Sequence, residues 1–472
     1  MEKLTFQSFG AAGMVTGSKH VIITPKGRKI LLDCGLVQGH NKNKEDLNRN
    51  FGFEPKEIDC VILSHAHIDH SGLLPRLVRE GFDGKIFATP ATIDLCRIML
   101  ADSAHIQIDD LRYVNKRRRE RQQEDIEPLY DEADVLATFE LFEPVPYHFK
   151  CTISDEASFE FTDAGHLLGS AAVHLDIKHA KGKGVDKITF TGDIGRYKTA
   201  ILKDPETFRQ CDFLICESTY GDRLHASLVE AEQEILNIVK HTCVHNRGKV
   251  IIPSFSVGRT QTIVYALDRL KNQGLLPNIK IFVDSPLSVK ATEVMSRHRE
   301  CYDDEILEYM KKDSTPFGFK NLFYISRPED SKGLNSMEEP CVIISASGMA
   351  EAGRIKHHIK NNIEDPKNTI MMVGYCTPES LGGRLKNGDK EVKIFGEWYP
   401  VRAQVLNFES YSAHGDYEDI FHFLACQKME KIKKVFLVHG EPDTLLNFKE
   451  KFMKKGFNEV LIPHRGEAFR LD

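Results

Sequence analysis

At 472 residues the chain is too long for one ordinary core, so a division into two domains is expected. With 41% hydrophobic and 28% charged residues and no apolar run long enough for a bilayer, its composition is globular and excludes a membrane span. The net charge of −6 excludes a surface that is basic throughout, although a polyanion responds to the local field rather than to the total.

In chain order, KLTFQSFG, KHVIITP, RKILLDCG and CVILSH are predicted strands separated by glycine-rich turns. SHAHIDHSG then leads into LLPRLVREG, a helix with one apolar face, and the strand GKIFATP. From Ala91 to about Glu140 the chain is helical and highly charged. Its basic cluster, RYVNKRRRER at Arg112–Arg121, has acidic neighbours, so a solvated helix face is expected, with a nucleic-acid contact as the alternative. Strands return at ASFEFTDAGH, AAVHLDIKH, DKITFTGDIG and CDFLICESTYGD.

Around Gly221 the pattern changes. The helix LVEAEQEILNIVKHTC, the strand KVIIPSF, the helix GRTQTIVYALDRL and the strand IKIFVDSP follow one another, with further strands at LFYISRP, CVIISAS and TIMMVGYC. Such alternation predicts a separate, doubly wound parallel sheet. From about Pro400 the pattern of the first third returns in RAQVLNFESYSAHGD, KKVFLVHGEPD and EVLIPHRGEAF. An α/β module inserted into a larger αββα-type domain is the expected organisation.

Three histidines and an aspartate crowd the end of the strand DCVILSHAHIDH. Zinc favours imidazole and carboxylate ligands, and a working site keeps one coordination position open. In extended backbone His65 and His67 project to one side, and Asp69 and His70 follow as the chain turns. One ion can therefore take the first pair and a second ion the other. Two close ions need a bridging carboxylate, for which Asp193 in ITFTGDIG is the candidate, and His166 in FTDAGHLLGS is the natural third imidazole of the first ion. A GH or GD after a strand is also a common turn cap. Asp33 in KILLDCG reads either as a loop anchor or as a group that fixes a ligand histidine's tautomer through a hydrogen bond.

Taken in order, Asp33, HAHIDH, His166 and Asp193 resemble the motifs of the metallo-β-lactamase superfamily. Glu217 in CESTYGDR, His414 in SAHGD and His439 in VHGE resemble the acidic and histidine motifs of its β-CASP branch of nucleases, and GAAGMVTGS, PSFSVGRTQ, DSPL, SASGM and GGRL agree along the chain. The resemblance implies an α/β fold, a metallo-β-lactamase αββα sandwich built from residues 1–220 and 399–472 with a Rossmann-like β-CASP domain inserted at 221–398. It implies two Zn2+, one held by His65, His67 and His166 and the other by Asp69, His70 and His439, with Asp193 bridging and Asp69 also counted among the catalytic residues. A hydroxide activated by the two metals would attack a phosphodiester, His414 would protonate the leaving 3′ oxygen, and Glu217 would keep His414 protonated through an ion pair.

The resemblance also bears on substrate. Histidine at the VHGE position, His439, is similar to the RNA-processing members, such as those that cleave mRNA 3′ ends, rather than to the DNA-repair members. Single-stranded RNA, cut internally, is therefore the expected substrate. ISASGM is expected to run from a strand through a turn into the helix EAGRIKHHIK, where Ser345, Ser347, Gly348 and exposed N–H groups suit an RNA phosphate. An ordinary strand-to-helix turn is the alternative there, and His357 and His358 are expected to be packing or surface residues.

Two other functions share parts of this pattern. A hydrolase of small esters or thioesters needs the same ligands but no domain-sized insert. A non-catalytic RNA-binding scaffold needs no complete ligand set, whereas every ligand position here is filled. Eleven cysteines without a CxxC pair, and an N-terminus without the build of a signal peptide, point to a cytoplasmic protein with reduced thiols. No membrane partner is expected, and a homodimer is among the assemblies the resemblance allows.

Overall fold

Strands such as Thr5–Gly10 and Val185–Phe190 alternate half-exposed with buried positions and then end fully buried, the pattern of strands that enter a core towards one end. A computed structural model describes residues 3–39, 43–179, 184–225, 231–374, 376–408 and 412–471. The chain separates into two units, one comprising Met1–Tyr197, Asp204–Leu224 and His414–Asp472, the other Lys198–Lys203 and His225–Ala413.

The first unit contains two seven-stranded sheets. One runs in the order Ala468–Arg470, Thr5–Gly10, Lys19–Ile23, Lys29–Leu32, Cys60–Ile62, Lys85–Ala88 and Phe142–Pro144. Its first four strands pair antiparallel and the later ones parallel. The other runs Val460–Leu461, Lys434–Leu437, Phe213–Cys216, Val185–Phe190, Ala171–Lys178, Ala157–Asp163 and Cys151–Thr152. Phe6, Ile22, Leu32 and Ile62 from the first sheet share one buried cluster with Phe159, Val173, Phe190 and Ile215 from the second, so the sheets face each other as a sandwich. The alternate side chains of the second sheet, Leu214, Cys216, Val435 and Leu437, pack under Ile420, Phe423, Phe448 and Phe452 of the helices Tyr417–Phe423 and Pro442–Lys455.

The charged segment forms the helix Pro90–Glu120, buried through Leu95, Cys96, Met99 and Leu100 in its first half only. Its basic second half is exposed and bonded to its own neighbours: Arg112 to Asp109, and Arg119 to Asp125.

The second unit is built on a six-stranded, all-parallel sheet in the order Leu322–Tyr324, Lys280–Asp284, Cys341–Ser345, Val250–Pro253, Thr369–Met372, Gln404–Asn407. Gln404–Asn407, expected in the returning segment from residue 399, is the edge strand here, in register with Thr369–Met372. The helix expected from Glu351 begins at Ile355, because Gly353 adopts φ +78, a conformation no helix accommodates. The helix expected from Leu228 is seen from Ala231, residues 226–230 lying outside the described part, as do Tyr375 and residues 409–411 of two expected strand regions. Among the described residues, no helix is long and apolar enough to cross a membrane.

Candidate metal centre

The expected site residues of the first unit lie just past strand ends, except for Asp69 and His70 in a short helix and His414 before one. Asp33 follows Lys29–Leu32, and His65 and His67 lie past Cys60–Ile62, while Asp69 and His70 sit in the four-residue helix Ile68–Ser71. His166 follows Ala157–Asp163, Asp193 follows Val185–Phe190, Glu217 directly follows Phe213–Cys216, and His439 follows Lys434–Leu437. His414 pairs with Gly195 just before the helix Tyr417–Phe423, which Asp416 caps by accepting from the Glu418 and Asp419 amides. The helix cap at SAHGD is therefore Asp416 and does not engage His414.

The fold brings these residues into three overlapping groups, each with its donor atoms within 4.8 Å of one another: His65, His67, His166 and Asp193; Asp69, His70 and His439; and Asp193, Glu217 and His414. His67 Nδ1 lies 3.1 Å from His65 Nε2 and 3.2 Å from His166 Nε2. Ligands about 2.0–2.1 Å from one tetrahedral zinc stand about 3.3 Å apart, so this spacing fits a shared ion. In the second group His70 Nε2 and His439 Nε2 are 3.2 Å apart, and Asp69 Oδ2 is 3.5 Å from His439 Nε2. Asp193 Oδ2 faces both groups, 3.5 Å from His65 and His166 and 3.2 Å from His70.

Protonation makes the same point. Burial holds His65 and His166 well below the usual histidine pKa and brings His67 to about 4, so all three are neutral lone-pair donors at neutral pH. Burial would raise the pKa of Asp193 and Asp69, but the surrounding imidazoles outweigh it and keep both carboxylates ionised. Burial would likewise lower His70, yet Asp193, Asp33 and Asp69 push it well above its usual value. Carboxylates that hold a proton so firmly would hold a metal ion in its place. Two buried atoms, Asp193 Oδ1 and His166 Nδ1, have no hydrogen-bond partner among the described residues. A buried polar atom left so is costly unless something else satisfies it, and a cation beside Asp193 would do so for the carboxylate.

Supporting contacts orient the rings. Asp33 Oδ2 lies 2.7 Å from His70 Nδ1, while Asp33 Oδ1 accepts from the Ser64 amide at 2.8 Å and Oδ2 from the Ser64 hydroxyl at 2.9 Å. Ser64 Oγ is also 3.0 Å from His65 Nδ1, and Thr219 Oγ1 is 3.0 Å from His439 Nδ1. Each contact turns the other ring nitrogen towards the site. Asp33 and His439 both adopt left-handed φ, 58° and 56°, unusual for residues with side chains and tolerated where the surroundings over-determine them. Sequence reasoning assigns no role to Ser64 and Thr219. Their only signal is a hydroxyl beside a ligand motif.

His414 Nδ1 is 3.3 Å from Glu217 Oε1 and 3.8 Å from Asp193 Oδ2, and Glu217 is itself fixed by accepting from the Ile194 amide at 2.6 Å. In the second unit Ser345 is buried, with its hydroxyl donated to the Asp284 carbonyl at 2.7 Å. The Ser347 hydroxyl donates to the Ala352 carbonyl at 3.3 Å, so both serines are engaged within the fold. His358 is buried against Asp284, as a packing residue would be, and His357 is exposed.

A sandwich whose strand ends gather neutral imidazoles and ionised carboxylates defines a metal-dependent hydrolase. The chain matches the metallo-β-lactamase superfamily over residues 17–89, the Beta-Casp domain over 260–385 and the Zn-dependent metallo-hydrolase RNA specificity domain over 398–463. It is 34% identical over 460 residues to a ribonuclease of Thermus thermophilus, covering 98% of each chain. It is 31% identical over 446 residues to an RNase J-like protein of Methanocaldococcus jannaschii, covering 94% of each. With cleavage and polyadenylation specificity factor 73 of Drosophila melanogaster it shares 30% identity over 444 residues, 93% of this chain and 60% of that one. The chain belongs to the β-CASP branch of the metallo-β-lactamase superfamily, and it is a divalent-metal-dependent hydrolase that acts on RNA.

Proposed function

We propose that this chain is a zinc-dependent endoribonuclease that hydrolyses phosphodiester bonds of single-stranded RNA. His65, His67 and His166 would hold one zinc, Asp69, His70 and His439 a second, and Asp193 would bridge them. When bound, the two ions supply Lewis-acid polarisation of a phosphoryl oxygen and lower the pKa of water at the site. Asp33, Ser64 and Thr219 keep the ligand rings in the tautomers that present their lone pairs.

The observation that carries the reading is the pairing of His414 with Glu217 beside Asp193. Burial alone would lower the His414 pKa, but the Glu217 and Asp193 carboxylates outweigh it and raise it to about 9. An imidazolium held so at neutral pH is a proton donor. With Nδ1 engaged by Glu217, Nε2 delivers the proton to the leaving 3′ oxygen, a transfer that a positioned side chain accelerates by about 10²–10⁴. Among the candidate phosphate contacts, Gly348 remains assigned to the substrate through its backbone, whereas the Ser347 amide donates to the Ala352 carbonyl at 3.2 Å and Ser345 is the support beneath them.

Matched end-labelled single-stranded RNA and DNA, incubated with and without chelator, test this reading. Internal cuts in RNA that disappear with chelator and have no counterpart on DNA are expected. Equal cutting of DNA, or hydrolysis of small esters without RNA turnover, would overturn it.

A further inference from the structure

Phe255 is 41% exposed, although it lies two residues past the fully buried strand Val250–Pro253, at the carboxyl edge of the second unit's parallel sheet. It is firmly held. Its carbonyl accepts from the Thr260 hydroxyl at 2.8 Å and from the Thr260 amide at 3.3 Å. A β-carbon on Gly348 would come within 2.7 Å of its ring, and one on Gly374 within 3.4 Å. The ring thus rests on two bare α-carbons that follow Cys341–Ser345 and Thr369–Met372, the strands on either side of its own. A β-carbon at Gly348 would have displaced the ring, and one at Gly374 would have lain in ordinary contact with it. Glycines instead leave it seated and partly open to solvent. Beside the seat, Lys386 Nζ donates to the Gly374 carbonyl at 3.2 Å and places a cation there.

An exposed aromatic ring that the backbone holds in place, with an ammonium group next to it, suits a flat ligand that carries negative charge. Ligands of open parallel sheets lie at the carboxyl edge. Every nucleobase has a π-face, and stacking on an aromatic side chain tolerates any sequence, while a nearby cation suits the adjoining phosphate. We infer that Phe255 is a stacking platform for one base of the single-stranded RNA, an inference that rests on RNA being the substrate. The absence of a side chain at Gly348 then has a second purpose: it makes room for the ring.

Binding of single-stranded RNA containing 2-aminopurine, measured with chelator present so that no turnover intervenes, tests this. Phe255→Ala is expected to weaken binding by about 5- to 100-fold and to abolish the fluorescence quenching that stacking produces. Phe255→Trp should restore both, and Gly348→Ala, whose β-carbon must displace the ring, should fall between. With metal present, Phe255→Ala should raise KM for RNA while kcat and the hydrolysis of methyl p-nitrophenyl phosphate stay near wild type. Wild-type RNA affinity in Phe255→Ala, or a loss that Trp does not restore, overturns stacking and leaves RNA as the substrate. A wild-type chain that neither binds nor cleaves single-stranded RNA overturns both.

Discussion

The two units each bury an aspartate beside histidine, one ring at Asp284 and several at Asp193, and the two clusters are completed in different ways. In the second unit, Asp284 Oδ1 accepts from Arg354 at 2.6 Å, and Oδ2 lies 2.6 Å from His358 Nε2 and accepts from Ser331 at 2.5 Å. Burial would raise its pKa, but these partners outweigh burial and lower it, and His358 Nδ1 in turn meets Asn335 at 2.9 Å. That cluster supplies its own cation and is closed. In the first unit, Asp193 faces His65, His70, His166 and His414, pairs with no arginine or lysine among the described residues, and keeps one oxygen without a hydrogen-bond partner there. The same residue types make a structural network where a guanidinium completes them and a metal site where none does. What distinguishes the sites is the permanent guanidinium charge beside Asp284, where Asp193 has only imidazoles that a metal ion can use as ligands.

Substitutions can break this contrast from either side. The largest effect is expected at His414: His414→Ala should lower RNA cleavage by about 10²–10⁴-fold with metal content unchanged, as measured by elemental analysis beside the rate. Asp284→Ala leaves the partly exposed Arg354 guanidinium without its counter-charge and the buried His358 and Ser331 without their acceptor, and should cost about 1–3 kcal/mol in denaturant unfolding. Asp33→Ala frees the His70 and Ser64 side chains, and zinc affinity measured by competition with a chromophoric chelator should fall about 10- to 100-fold. Glu217→Gln is the subtlest. His414 works as an acid only while protonated, so the rate falls as pH rises through its pKa. Removing the Glu217 charge lowers that pKa from about 9, and the alkaline limb of the pH–rate profile should move to lower pH.

Much of the candidate site is legible in the sequence because its residues are chemically rare where they stand. HAHIDH at a strand end has few structural uses, and the order of His166, Asp193, Glu217, His414 and His439 around a domain-sized insert carries the family. The supporting residues are less visible. Ser64 and Thr219 are hydroxyls in turns, where serine and threonine are commonplace, and only the folded distances reveal that they orient His65 and His439. Gln404–Asn407 reads as part of the returning segment because a short strand with only Val405 and Leu406 apolar does not specify its sheet, and pairing with Thr369–Met372 is a long-range choice that local pattern does not encode. Phe255 reads as an ordinary core residue in KVIIPSF, and only its exposure and its two glycine supports set it apart.

The central claim is that the histidine–aspartate cluster of the first unit works as a two-zinc centre for RNA hydrolysis. The most direct measurement is a titration of zinc into metal-free protein while cleavage of single-stranded RNA is followed. Activity is expected to be absent at the start and to reach its plateau at two zinc ions per chain. A plateau at one ion, or cleavage that survives complete removal of metal, would contradict it.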